Sequence, residues 1–367
     1  MSNPWIGLMM QDEKNMIAEQ VSPKVKLPTA SPSKNWAMSG GTYCGYTTCY
    51  YGPEGSGKSL ASMIDVAALH KADPEAIAML ISTEFRSPAP EKLRALGVDP
   101  ARLWVRQANT LHDVFDWVSS KDSVFKNSDG TDGAPGMLYM LMGDKSRKLP
   151  PANIKALIVD SIKDIQGPRE QAAISSEANV MGDLSKFLNP ALRQILPVIR
   201  DYDLMTIFIQ QVNMNMDADE VKYQNKKWII PSGQSLKHFC ETMALVERVT
   251  SKDSKIFSKE MESVRELPVQ EGHTIRLKVE KANLDSPFRE AEFQIHYKKG
   301  VVNVGLEVAK LAFGLGIVRH PMNDKGKPIN TQYEYKDKKW IGYDNMVNEF
   351  EANVEMMNDI MVECYKK

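Results

Sequence analysis

Apolar positions along the chain fall into two alternating kinds of segment. Short runs dense in β-branched, aromatic and aliphatic residues predict buried strands at YTTCYYG (46–52), AIAMLIS (76–82), RLWVR (102–106), IKALIVD (154–160) and LMTIFIQQ (204–211). Helical periodicity fills the gaps at 58–71, near 91–96, around 111–120 and over about 180–201, the last interrupted or kinked by Pro190 and Pro197. Such alternation predicts an α/β fold, a mostly parallel sheet with helices on both faces. Three further strands follow in ETMALVERV (241–249), HTIRLKVEK (273–281) and REAEFQIHY (289–297). From about residue 300 the chain reads as a small α-rich lobe.

Two stretches break the rhythm. Residues 121–153 are rich in Gly, Asp, Ser and Pro and read as a surface insertion, and 212–232 reads as a polar loop. At the N-terminus a helix over 6–21 precedes the Pro/Ser-rich connector SPKVKLPTASPSKNW. A lone helix cannot bury its own apolar face, so this arm is expected to dock on the body or on a neighbouring subunit. The expected organisation is an arm at 1–36, a core at 37–299 and a lobe at 300–367. No internal repeat and no low-complexity tail is visible.

Composition alters this picture little. Hydrophobic residues make up 43% and charged residues 25% of the 367, as in ordinary globular proteins. No apolar run is long enough to span a bilayer, and the first residues lack a signal-peptide pattern, so a cytoplasmic protein is expected. Cys44, Cys49, Cys240 and Cys364 are scattered without metal-ligand spacing. The net charge of −1 excludes a surface coated in positive potential, so any nucleic-acid contact must use local basic stretches.

The strongest chemical signal is GPEGSGKS: Gly52, Pro53, Glu54, Gly55, Ser56, Gly57, Lys58 and Ser59, which fits GxxxxGK[ST]. It follows a strand and opens a helix, where backbone N–H groups and the helix N-terminus cradle phosphate. Lys58 is positioned for the β- and γ-phosphates, and Ser59 for Mg²⁺. Asp160 ends the buried run ALIVD and is the candidate second ligand for Mg²⁺. Glu84 ends a strand expected beside the phosphate-loop strand, at the carboxyl edge where open α/β sheets bind ligands. It is the candidate for orienting an attacking water.

GPEGSGKS, ISTEFR, LRALGVDPARLWV, LIVDS, TIFIQQVNMNM and SPFREAEFQI, in this order and spacing, resemble the RecA-type homologous recombinases. EFR followed by LRALGVDPARL is most similar to the phage UvsX branch, and TASPSKNWAMSGG is similar to the family's approach to its phosphate loop. The resemblance runs from about residue 28 to 342. It implies a RecA-like P-loop ATPase core with an N-terminal arm and a C-terminal lobe, binding ATP and Mg²⁺. It further implies a DNA-dependent ATPase that assembles as a helical filament on single-stranded DNA and exchanges strands with a duplex. A single-strand-binding protein and a loading mediator are implied partners, with no membrane.

Residue by residue, the resemblance puts Glu84 on the water-activating glutamate and Gln211 on the glutamine that senses the γ-phosphate. Lys281 falls on a lysine that reaches the ATP of the adjacent subunit. Met181 and Gly182 fall on the first DNA loop, with Lys186 and Arg193 on its backbone-contacting positions. Met214, Met216 and Gly233 fall on the second DNA loop. Lys336, in YEYKDKKW (333–340), falls at the tip of a lobe that captures duplex DNA, although the same segment also reads as a solvated hairpin.

Departures are as specific as the matches. FRSPAPEKL (85–93) has one extra residue and no aromatic to stack on adenine, which leaves the base preference open. Asn283 stands where a second interface lysine is common, and His238 where phenylalanine is usual. The chain ends MVECYKK rather than in an acidic tail. Two other readings share the motifs: a ring helicase on the same core, and a recombination mediator that binds nucleotide without turnover.

Overall fold

Residues of the same strand feed two different cores. In the computed structural model, β1 (Thr47–Gly52) sends Tyr50 to one face of the sheet and Cys49 and Tyr51 to the other. Likewise β2 (Ile77–Ser82) sends Ala78 and Leu80 one way and Met79 and Ile81 the other. This period of two, with both faces apolar, is what buries a strand on both sides. The structure describes residues 25–110, 114, 153–167, 183–224, 227–231, 234–251, 254–257 and 269–367.

The other sheet strands are β3 (Leu103–Gln107), β4 (Ile154–Asp160), β5 (Met205–Gln211), β6 (Thr242–Arg248), β7 (Lys255–Phe257), β8 (Gln270–Ala282), β9 (Glu290–His296) and β10 (Gly300–Val302). They form one sheet of ten strands in the order β10-β9-β8-β6-β1-β5-β4-β2-β3, with β7 pairing β8. From β6 to β3 every pairing is parallel, while β8, β9 and β10 add on antiparallel. The carboxyl ends of five parallel strands from β6 to β2 therefore share one edge. Register puts Arg248 at the end of β6 opposite Ile275, so the first half of antiparallel β8 reaches the same edge.

Helices cover both faces, as expected. The helices are α1 (Pro32–Ala37), α2 (Lys58–Ala72), α3 (Pro90–Ala95), α4 (Asp183–Asp201), α5 (Ala218–Gln224), α6 (Gln234–Phe239), α7 (Val304–Gly314), α8 (Tyr343–Ala352) and α9 (Val354–Tyr365). Ala61, Ile64 and Ala68 of α2 pack on one core; Leu188, Leu192, Ile195 and Ile199 of α4 line the other at helical spacing.

Several expectations need correction. Pro190 and Pro197 do not interrupt α4, which runs as one helix through both. The segment after β5 is not a plain loop: it holds a two-residue antiparallel ladder, Asn213 opposite Ile229 and Met214 opposite Trp228, and α5. The described part of the connector packs against the chain's own body. Lys26–Leu27 pairs with Thr42–Tyr43, and Ser31, Ser33, Lys34 and Trp36 are buried in the chain's own core. Lys34 donates to Asp65 at 2.5 Å, and Asp65 also accepts from Thr42 and Tyr50. The sheet continues to Val302, three residues past the expected core end at 299.

The lobe is α7, the hairpin of β11 (Gln332–Tyr335) and β12 (Lys338–Ile341), then α8 and α9. Its Val308, Ala312, Phe350 and Ile360 join the same core as α2. The expected 6–21 helix and the 121–152 part of the insertion lie outside the described residues. Of the segment expected as a helix over 111–120, Val114 alone is described.

Candidate nucleotide-binding site

Backbone shape makes the phosphate loop. Gly57 caps α2 with φ 98° and contributes no side-chain cap, so the first N–H groups of α2 are left for a ligand. A β-carbon on Gly57 would sit 2.5 Å from Ile275 Cδ1, and one on Gly52 would sit 2.1 Å from the Val246 carbonyl oxygen. Only glycine lets β6 and β8 close in on the loop at these two points.

Lys58 is 6% exposed, and its Nζ donates to the carbonyls of Gly52 at 2.9 Å and Pro53 at 2.6 Å. Burial holds its pKa below the ordinary lysine value, against the pull of Asp160 and Glu84. The ammonium is thus folded onto its own loop, at the place where phosphate oxygens would take over from carbonyls.

Ser59 Oγ donates to Asp160 Oδ2 at 2.6 Å. Burial raises the Asp160 pKa, opposed by the Ser59 bond and by Lys58. A hydroxyl and a carboxylate at hydrogen-bond distance beside a phosphate cradle are the oxygen donors that suit Mg²⁺, which takes few protein ligands and keeps phosphate oxygens and water. These residues fit the ion.

Glu84 follows β2 in a turn held by Ser82, whose Oγ accepts from Arg86 N at 3.0 Å and donates to Arg86 O at 2.7 Å. The strand before Glu84 is not beside the phosphate-loop strand; β5 and β4 stand between them. Parallel pairing still brings Glu84 to the shared edge, where it accepts from Gln211 Nε2 at 2.6 Å and pairs with Arg86 at 3.1 Å. Burial and the neighbouring Asp164 and Asp160 raise its pKa, which Arg86 and Gln211 oppose. One cleft of about 380 Å³ takes in Lys58, Ser59, Glu84, Asp160 and Gln211.

The same cleft includes His273, which the sequence reading missed. Its Nδ1 lies 3.1 Å from the Tyr297 hydroxyl, and its buried Nε2 has no partner among the described residues. Burial, with Arg248 nearby, pushes its pKa down to about 4, so the ring is neutral at neutral pH. Nothing in local spacing points to it, because the antiparallel return of β8 brings it in from over 200 residues away.

The remaining candidates among the described residues do not line this cleft. Met214 and Met216 are 68% and 87% exposed. Arg193 is exposed on α4, and Lys186 lies within that helix. Met181, Gly182 and Gly233 lie outside the described residues. Lys281 does not line its own chain's cleft; its Nζ donates to the carbonyls of Lys237 and, at 2.8 Å, Cys240 at the end of α6. Asn283 donates to Glu241 at 2.8 Å, and His238 is exposed on α6. Lys336 sits in the β11–β12 turn, 2.9 Å from Glu363 and over the Tyr335 ring.

A phosphate loop feeding a helix, a hydroxyl–carboxylate pair and a glutamate, all on the carboxyl edge of a largely parallel sheet, define a P-loop nucleotide-binding protein. Comparison with known proteins narrows the class. Residues 148–302 match the RecA N-terminal domain family, a span that begins beyond the phosphate loop. Protein RecA of Aquifex pyrophilus is 23% identical over 339 residues, 91% of this chain and 84% of that protein. Protein RecA of Gloeobacter violaceus is 23% identical over 342 residues, 93% of this chain and 78% of that protein. Protein RecA of a Wolbachia strain from Brugia malayi is 26% identical over 216 residues, 56% of this chain, which spans about half (54%) of that relative. Over these spans the chain is similar to the RecA family.

Proposed function

We propose that this protein is an ATP-dependent recombinase that assembles as a helical filament on single-stranded DNA and carries out homologous pairing and strand exchange. The observation that carries the reading is Gln211. Its side chain reaches the catalytic candidate Glu84 in the cleft, and its backbone leads directly into the segment that exposes Met214 and Met216. Nucleotide state and DNA contact are thereby joined through one residue.

In the reaction, a water held by Glu84 attacks the γ-phosphorus and the bond to the β–γ bridging oxygen breaks, giving ADP and phosphate. The proton lost by the water passes to the Glu84 carboxylate and then to solvent. Lys58 moves from the Gly52 and Pro53 carbonyls to the phosphate oxygens. Ser59 and Asp160 would hold Mg²⁺, which would supply positive charge to offset that on those oxygens. Apolar contacts from Met214 and Met216 leave base edges free, so base pairing reads sequence while the protein reads backbone and shape. The lobe's Lys336 and its hairpin are the proposed contact for duplex DNA. The resemblance carried by the segment from Glu84 to Leu103 supports, on this reading, a member of the phage branch. A single-strand-binding protein and a loading mediator are the proposed accessory partners.

The test separates binding from turnover. Glu84→Gln keeps the acceptor for Gln211 but cannot take a proton, so nucleotide-bound filaments on DNA are expected by electron microscopy, with hydrolysis down about 10²-fold or more. Lys58→Ala is expected to abolish turnover. Normal DNA-stimulated hydrolysis in either variant refutes the site.

A further inference from the structure

The segment that exposes the two methionines is tied at both ends to the rim of the phosphate site. At its start, Val212 N donates to the Gly52 carbonyl at 3.3 Å. That same oxygen accepts from Lys58 Nζ at 2.9 Å. Lys58 and the root of the segment thus share one acceptor, and drawing Lys58 onto a phosphate leaves that oxygen to Val212.

The far end is tied by a side chain. Trp228 Nε1 donates to Glu247 Oε1 at 3.1 Å, and the indole packs half-buried against the core that takes in Leu188 and Phe208. Glu247 follows Val246, whose carbonyl is the atom that the close approach of Gly52 accommodates. Trp228 is also the register partner of Met214, and Asn215 N donates to Lys227 O at 2.9 Å. The indole therefore fixes the strand against which the Met214 backbone is laid. Asn215 continues the fixation, donating to Glu220 of α5 at 2.9 Å.

We propose that Trp228 is a positioning residue: its bond to Glu247 holds the 213–229 ladder on the rim of the phosphate site and makes the DNA affinity of the methionine segment depend on bound nucleotide. This rests on the reading that the segment contacts single-stranded DNA. Gln211 signals to the root of the segment; without the anchor at Trp228 the far end floats, and a shift at the root is not transmitted to Met214 and Met216. A ligand moves an equilibrium only through contacts that differ between its states, and the anchor supplies the fixed frame for that difference.

The experiment measures affinity for a fluorescent oligo-dT by anisotropy, with and without a non-hydrolysable ATP analogue. Affinity for a fluorescent nucleotide and the thermal midpoint are recorded alongside. In the wild type the analogue is expected to tighten DNA binding. Trp228→Phe keeps an aromatic ring without the donor, and Glu247→Ala keeps the indole without the acceptor. Each is expected to cut the ratio of the two affinities about tenfold, the factor carried by one charge-assisted bond, with nucleotide affinity unchanged. Glu247→Gln still offers an oxygen to the indole and is expected to stay within about threefold of the wild-type ratio. A wild-type ratio in folded Trp228→Phe and Glu247→Ala overturns the proposal, as does Glu247→Gln behaving like Glu247→Ala. A wild type with no nucleotide-dependent DNA binding strikes instead at the recombinase reading beneath it.

Discussion

Glu307 carries a carboxyl group into the seam between the connector and the lobe, where it is 3% exposed. Its Oε2 accepts from Ser31 Oγ at 2.7 Å, Ser33 Oγ at 2.9 Å and Ser33 N at 3.3 Å, while Oε1 has no partner among the described residues. Burial outweighs those bonds and pushes its pKa up to about 8. The folded state therefore binds a proton that the unfolded state releases near the ordinary glutamate value of 4.5. Its contribution to stability is complete below that value and is lost as pH rises towards 8. His273 has the opposite sign: held near 4 in the fold, it costs stability as pH falls below 6.5. A comparison from pH 6.5 upward isolates Glu307. Glu307→Gln keeps an oxygen for the two serines and never ionises. Unfolding free energies from urea titrations are expected to fall between pH 6.5 and 9 by an amount on the order of 2 kcal/mol more for the wild type than for the variant. Equal falls in the two proteins contradict a neutral Glu307.

The buried strands and α2 are legible in sequence because each declares itself locally, as an apolar run bounded by turn residues or a glycine-rich loop opening a helix. GPEGSGKS is legible for the same reason: its geometry is made by its own backbone. Pairing order is not local. The strand ending at Glu84 reads as a neighbour of the phosphate-loop strand, and only the inserted β5 and β4 show how Glu84 reaches the cleft from farther off. The buried connector depends on Asp65 and Glu307, distant in sequence, and His273 arrives on an antiparallel strand. The Asn213–Met214 ladder was hidden because two residues give no period to read. That ladder sets a test of its own. Met216, 87% exposed, offers only an apolar contact, which should be nearly indifferent to salt. Met216→Ser is expected to weaken oligo-dT binding by a similar factor at low and high salt, worth about 1 kcal/mol. Arg193→Ala is expected to flatten the salt dependence by a slope of about 0.7, the value for one phosphate on a single strand. Unchanged DNA affinity and strand exchange in Met216→Ser remove the methionine segment from the DNA site.

Core continuity decides which parts of the whole molecule can move. Phe350 and Ile360 of the lobe share a core with Ile64 of α2, and Trp36 of the connector donates to the Cys364 carbonyl at 3.0 Å. Connector, lobe and phosphate-loop helix are thus one body, and nucleotide-driven rearrangement is expected where one chain meets the next. On the proposed reading, Lys281 acts there. In its own chain it is held by carbonyls at the end of α6 rather than by the cleft, which suits a side chain serving a neighbour's site. If the hydrolytic site is shared, Lys281→Ala is expected to bind nucleotide yet lose DNA-stimulated turnover, and Lys58→Ala to lose turnover in its own cleft. Neither is active alone. In a head-to-tail assembly mixed at equal amounts, about one interface in four joins an intact Lys58 to a neighbour's intact Lys281. Partial recovery of ATPase activity is therefore expected on mixing, at up to about a quarter of the wild-type rate and greatest near equal amounts. No recovery at any ratio, with co-assembly verified by light scattering on DNA, rules out a site completed across the interface.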